Sequence, residues 1–229
     1  QLFSEPDAGS DLASLRTTAT KVDGGWRVNG EKIWTSLGFL AQWGALLART
    51  DRAAPKHDGI TYFVVDMHSA GVTVRPLKEA TGVTLFSQVF FDDVFIPDSG
   101  VVGDINGGWH VARDTLGNER IALGNEHGLS AGLDDFLSFI RNREPGAVPL
   151  TRVGELIAAR QTVVLLLGRT LHRQLRKLDP GTAPNIAKYL NVHLGQDMAD
   201  FCHAELGAAG CYQEGDEQSR RWIEQTISA

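Results

Sequence analysis

Cysteine is scarce: Cys202 and Cys211 are the only two in 229 residues. Two thiols make neither a disulfide framework nor a four-cysteine metal site, so a reducing compartment is expected, with the cytoplasm as the default. Long apolar runs are missing too. The best candidate, Val163–Gly168, falls far short of the roughly 20 residues that cross a bilayer as a helix. Basic charge is not in excess, since 22 Lys and Arg stand against 28 Asp and Glu for a net charge of −6. The arginines are scattered, so no stripe of positive field awaits nucleic acid. His193 and His203 are ten residues apart, and His57, His68 and His110 sit near turns; none has the spacing of a helical metal pair, and no metal site is expected. Gln1-Leu2-Phe3-Ser4-Glu5-Pro6 offers no initiator Met, charged n-region or apolar h-region. No signal peptide is read there, and the chain is expected to begin inside a longer protein.

What is present suits one large folded domain or two smaller ones. Hydrophobic residues make up 42% and charged residues 22% of the chain, enough to bury a sizeable core. Residues 1–105 have the texture of strands and turns. Lys21-Val22 and Trp26-Arg27-Val28 flank Asp23-Gly24-Gly25, a turn able to take positive φ, which reads as a hairpin. Ile60–Asp66, Val72–Arg75 and Gln88–Phe91 are further strand candidates, punctuated by Gly71, Gly82 and Asp92-Asp93. Short strands between turns imply an antiparallel barrel or sandwich. After Gly107-Gly108 the apolar period changes, with Trp109, Ala112, Leu116, Glu119 and Leu123 recurring at helical steps. A second stripe runs from Val153 to Leu175, and Asp179-Pro180-Gly181 breaks it. A third begins at Pro184, a residue suited to a first helical turn because it needs no donor there. The expected fold class is α+β: a β-domain over residues 1–105, then an antiparallel helical bundle over 106–229.

Two segments carry chemistry. Ser4-Glu5-Pro6-Asp7-Ala8-Gly9-Ser10-Asp11 is either an ordinary surface turn or a set of backbone N–H groups open to an anion or a cofactor edge. Asn29-Gly30-Glu31-Lys32-Ile33-Trp34-Thr35-Ser36 sets an indole beside two hydroxyls at a strand end. That indole either fills the barrel core or covers one face of a flat cofactor, with the neighbouring hydroxyls at the ring edge.

In this order and spacing the two segments resemble the middle domain of the acyl-CoA dehydrogenase family. The resemblance continues through Ala48-Arg49-Thr50, Gly59–Phe63, Gly71–Val74, Phe91–Pro97 and Asn118-Glu119-Arg120. It implies a β-barrel and a C-terminal four-helix bundle with FAD between them, and it leaves the family's N-terminal helical domain absent from this chain. By that resemblance Gln1, Leu2, Phe3 and Ser4 line the flavin through backbone and side chains, with Ser4 near the pyrimidine edge. Ser10 contacts the FAD pyrophosphate and the CoA part of the substrate. Trp34 covers the dimethylbenzene side, while Thr35 and Ser36 approach N5. Gly117 and Arg120 belong to the substrate side. The implied reaction is α,β-desaturation of an acyl-CoA thioester, with a carboxylate taking the α-proton as hydride passes to flavin, and with electrons passing on to an electron-transfer flavoprotein or similar acceptor.

That chemistry needs one placed glutamate, and the enolate-like charge needs hydrogen bonds at the thioester oxygen. The resemblance puts a catalytic Glu immediately before Arg120, where Glu119 stands. Its spacing from Leu116 and Leu123 sets it beside the apolar stripe, where desolvation raises a carboxyl's pKa. The other reading is a solvated helix glutamate paired with an arginine. Glu126 is a second candidate. The family's alternative position lies beyond Ala229.

Two family elements are altered. The interval Arg143–Leu150 has no Phe-Gly after an Arg, and Ala204-Glu205-Leu206-Gly207-Ala208 carries a methyl where the family has a glutamine amide. Both elements reach a neighbouring subunit's FAD. Their loss resembles a divergent bacterial branch in which unlike subunits pair on sterol-like or polyketide-like thioesters. A homo- or hetero-oligomer with another dehydrogenase subunit is therefore expected. A non-catalytic subunit and an oxidase using oxygen directly stand as alternatives to the dehydrogenase.

Overall fold

The computed structural model describes residues 1–123, 132–144, 146–207 and 222, with residues 119–123 described by backbone alone. It has two compact units, Gln1–Leu116 and Gly117–Ala229. Seven strands form the first: β1 (Thr18–Val22), β2 (Gly25–Ser36), β3 (Trp43–Arg49), β4 (Ile60–Asp66), β5 (Val72–Pro76), β6 (Phe86–Pro97) and β7 (Val101–Val102). They lie in the order β5-β6-β2-β1-β3-β4-β7. Every neighbouring pair is antiparallel except β1 and β3, which meet in parallel at Thr18 and Arg49.

The expected hairpin closes on Asp23-Gly24, with Val22 opposite Gly25 and Gly24 at φ 73°, a conformation that glycine adopts without the Cβ penalty. Trp26 and Val28 of β2, Leu46 and Ala48 of β3, Phe63 and Val65 of β4, and Val89, Phe91, Val94 and Ile96 of β6 meet in one core. Residues from both sides of the strand order share that cluster, so the sheet curls on itself. Burying a side chain such as Phe63 or Leu46 stabilises by about 1.5–3 kcal/mol.

Asp92-Asp93 does not end a strand, as its composition suggested. The pairs Val28–Val94 and Gly30–Phe91 leave two residues of β6 opposite Asn29 alone. Asp93 takes φ 50°, and its N–H donates to Asn29 Oδ1 at 2.9 Å. This is a bulge inside a twelve-residue strand, and the extra residue is why Phe91 and Val94, three apart, both face inward.

The first helix, α1 (Gly108–Leu123), begins where the period changes. A Cβ on Gly108 would lie 2.5 Å from the Tyr62 backbone nitrogen. Only glycine lets this helix start against β4. Its first turns complete a second core of the sheet unit, in which Ala112 packs with Phe3, Leu47, Ile60 and Tyr62.

In the other unit, α2 (Leu133–Arg141), α3 (Leu150–Leu175) and α4 (Ala183–Leu206) bury Phe136, Phe139, Leu156, Val163, Leu194 and Met198 together. His172 and Arg173 in the last turn of α3 suit the negative end of its dipole. Pro184 lies in the first turn of α4, and Arg152 of α3 reaches Asp197 of α4 at 3.3 Å. Among the described residues no helix is long and apolar enough to cross a membrane.

Candidate functional site

The two motifs come together in the sheet unit through a buried ion pair. Glu5-Pro6-Asp7-Ala8 closes as a turn, with reciprocal 3.0 Å backbone bonds between Glu5 and Ala8. Pro6, with φ preset, suits its second position. The Glu5 side chain folds inward and accepts from the Arg16 N–H at 2.6 Å, the Thr17 N–H at 2.9 Å and Lys32 Nζ at 2.8 Å. Lys32 Nζ also donates to the Phe3 carbonyl at 3.0 Å, and the Ile33 N–H to the Ser4 carbonyl at 2.9 Å.

Lys32 is fully buried and Glu5 is 7% exposed. Burial pushes the Lys32 ammonium down to about 8, against the opposing pull of Glu5. Burial alone would raise the Glu5 carboxyl. The Lys32 charge and the hydrogen bonds from Lys32, Arg16 and Thr17 outweigh it and hold Glu5 below the usual carboxylate range. A carboxyl depressed on folding contributes stability that is present above its unfolded value, near 4.5, and is lost as pH falls through the folded value. Acid titration of the urea midpoint should therefore show a loss below about pH 4.5 that Glu5→Gln flattens. Parallel acid profiles in the two proteins would contradict this assignment.

Neither Glu5 nor Lys32 emerged as a functional residue from the sequence, although a signal existed. In β2 the side chains of Trp26 and Val28 face inward, and period two carries Lys32 to the same face. A lysine at an inward position requires a buried carboxylate.

Trp34 breaks that alternation. It sits at φ 61°, where the pairing jumps from Lys32–Val89 to Thr35–Ser87. The strained bulge turns the indole outward, 58% exposed, with its edge on Phe86 at 5.9 Å between ring centres. Trp34 therefore does not fill the barrel core. Thr35 is buried and Ser36 exposed, so of the two hydroxyls only that of Ser36 shares the open side with the indole. The Thr35 and Ser87 hydroxyls are buried with no hydrogen-bond partner among the described residues. Leu37, Phe39, Leu40 and Trp43, which follow in sequence, are exposed as well.

The side chains of Leu2 and Phe3, expected to line the flavin, lie in the sheet unit's cores. Leu2 is fully buried, with its N–H on the Ala45 carbonyl at 2.7 Å and its carbonyl accepting from Leu47 at 3.3 Å. Phe3 packs edge-on to Tyr62 at 5.9 Å. Both are apolar residues beside an apolar core; the N–H and carbonyl of Leu2 are taken by β3, and the Phe3 carbonyl accepts from Lys32. Gln1 is exposed and Ser4 half-buried.

Ser10 is exposed next to Asp11, whose carboxylate accepts from Lys56 and Ser14 at 2.6 Å each. These hydrogen bonds hold Asp11 below its usual range. Arg49 ties the same turn to the following loop, donating to the carbonyls of Ala13, Lys56 and Asp58. The His57 ring lies 4.8 Å from that of Trp109. Lys56 was not singled out from the sequence; its pairing with Asp11 comes from a loop closure that spacing does not encode.

Gly117 is in α1, and a Cβ there would meet nothing within 4 Å. Glu119 and Arg120 are in the same helix, but their side chains lie outside the described residues, as does all of Glu126. Arg143 stacks on Phe139 of its own unit at 4.2 Å. No cluster of metal-ligating groups occurs among the described residues.

Residues 1–94 match the family described as acyl-CoA dehydrogenase, middle domain, and residues 106–227 match acyl-CoA dehydrogenase, C-terminal domain. The chain belongs to the FAD-dependent acyl-CoA dehydrogenase family. It is 47% identical over 201 residues to acyl-CoA dehydrogenase FadE34 of Mycobacterium tuberculosis, covering 88% of this chain and 28% of that protein. It is 41% identical over 154 residues to acyl-CoA dehydrogenase IpdE1 of the same organism, covering 66% of this chain and 40% of that one. Among solved structures, the Tcur3481-Tcur3483 steroid ACAD superposes with a TM-score of 0.84 at 27% identity, over 99% of this chain and 61% of that one. The chain thus spans under a third of FadE34 and about three fifths of the steroid ACAD chain.

Proposed function

We propose that this chain supplies the flavin cradle and most of the helical bundle of an FAD-dependent acyl-CoA dehydrogenase that desaturates the α,β bond of an acyl-CoA thioester. The observation that carries the reading is Trp34, an exposed indole held at a strained bulge beside Ser36 and tied to residues 3–5 through Lys32. An apolar ring that open, with a hydroxyl on the same side and an apolar surround, fits a flat aromatic cofactor.

In this reading residues 1–105 are the cradle and 106–229 the helical part. Bound FAD would supply the hydride acceptor. Gln1, Leu2, Phe3 and Ser4 would line its ring system. Trp34 would cover one end of the ring, and Ser36, with Thr35 behind it, would fix the edge. Ser10 would hold the pyrophosphate and CoA side. Gly117 and Arg120 would border the thioester, and Glu119 would take the α-proton.

The similarity to a steroid ACAD supports a bulky acyl group. The Ala204 and Arg143–Leu150 departures, with the two-component composition of that same relative, support a second dehydrogenase subunit as partner. An electron-transfer flavoprotein or similar acceptor would reoxidise the flavin. A non-catalytic subunit is the second reading, favoured by the same two departures.

FAD content tests the proposal. The whole protein, purified with its natural partner, should be yellow and release FAD on denaturation in a fixed ratio to this polypeptide. A colourless complex that takes up no added FAD would end the reading.

A further inference from the structure

We propose that Lys32 and Glu5 are a positioning pair for the bound cofactor, locking the backbone of residues 3–5 to β2 so that the first residues of the chain and the side chains of Trp34 and Ser36 face one ring system at a fixed spacing. The inference rests on the flavin reading above and assigns its geometry to two residues that touch no cofactor. Both are too deeply buried to meet a ligand, at 0% and 7% exposure. They act through the Phe3 carbonyl, 3.0 Å from Lys32 Nζ, and through the strand that delivers Trp34 two residues after Lys32.

A buried ion pair is a poor source of stability, because apolar residues of similar volume do as well or better. What it provides is direction. Charged hydrogen bonds fix distances and angles, whereas an apolar contact tolerates sliding. Five bonds converge on the junction: Lys32 to Phe3 and Glu5, Arg16 and Thr17 to Glu5, and Ile33 to Ser4. Together they join residues 3–5, 16–17 and 32–33 in one rigid knot. The bulge at Trp34 follows directly, so the strained φ of 61° starts from a clamped residue rather than from a free strand end. A strained conformation persists only where its surroundings over-determine it.

The test is Glu5→Gln/Lys32→Met in the whole FAD-loaded protein with its partner, which removes both charges and keeps volume. The double variant should melt close to the unsubstituted protein, yet bind FAD about tenfold or more weakly, as when a charged hydrogen bond supporting a preorganised site is lost. The visible circular dichroism of its bound FAD should weaken, since that signal reports the asymmetry of the ring's surroundings. A folded double variant with unchanged FAD affinity and dichroism overturns the proposal and leaves the pair a structural element only. If the double variant does not fold, Glu5→Gln alone gives the same readout: weakened dichroism supports the proposal and an unchanged signal overturns it. Failure of the unsubstituted protein to bind FAD is a separate outcome that removes the flavin reading and this inference together.

Discussion

Glu119→Gln in the whole protein should retain its FAD and fail to bleach when an acyl-CoA ester is added without oxygen, with the reduction rate down about a thousandfold. An α-proton of a thioester leaves only when a base stands within hydrogen-bond reach and the enolate-like charge is stabilised. Gln keeps the size and hydrogen-bonding capacity of Glu but cannot accept that proton. Flavin affinity should barely move, because the residues assigned to hold FAD are in the sheet unit. The position has support from the sequence alone, through the Asn118-Glu119-Arg120 triplet and the flanking Leu116 and Leu123. Bleaching at the unsubstituted rate would transfer the role to another carboxylate or to a partner subunit, and would favour the non-catalytic reading.

Lys32→Met should destabilise the protein by about 3–5 kcal/mol, because it removes the cation in direct contact with a buried carboxylate. The loss is much larger than for an exposed pair such as Lys21–Asp98, where solvent screens the charges. In the double variant with Glu5→Gln the loss should shrink, since no unpaired charge remains, and the difference is the coupling that a double-mutant cycle measures. Thermal or urea unfolding of the four proteins gives the cycle. Additive losses would mean that the pair does not interact as its 2.8 Å separation implies.

Much of the fold was legible where a single physical signal dominates. The Asp23-Gly24 turn, the run Ile60–Asp66 and the start of α1 after Gly107 each follow from local preference and period. The elements that were not read are those whose signal is weak by itself. β3, Trp-Gly-Ala-Leu-Leu-Ala-Arg, is apolar on both faces and shows no alternation, and β7 has two residues. The nine residues of α2 are too few for a helical period to stand out. Asp92-Asp93 reads as punctuation in any strand pattern, and only the partner's register reveals a bulge.

The candidate site divides the same way. Ser10 and Trp34 were legible as motif residues, but spacing left two orientations open for the indole. Its φ decides between them, and φ follows from pairing with β6. Lys32 is legible through the parity of β2, although lysine is so often a surface residue that parity alone carries little weight. The burial of Leu2 and Phe3 depends on contacts with β3 and with Tyr62, 43 or more residues away in sequence, which no local pattern contains.

The central claim is that this chain, completed by the rest of its protein, carries a flavin that acyl-CoA reduces. The most direct measurement is the visible spectrum of the FAD-loaded protein during anaerobic addition of a series of acyl-CoA esters, from short chains to steroid side chains. The account predicts that the yellow absorbance is lost with at least one of them and that the product carries an α,β double bond. Bound FAD that stays oxidised with every ester, while the same preparation binds those esters, would contradict it.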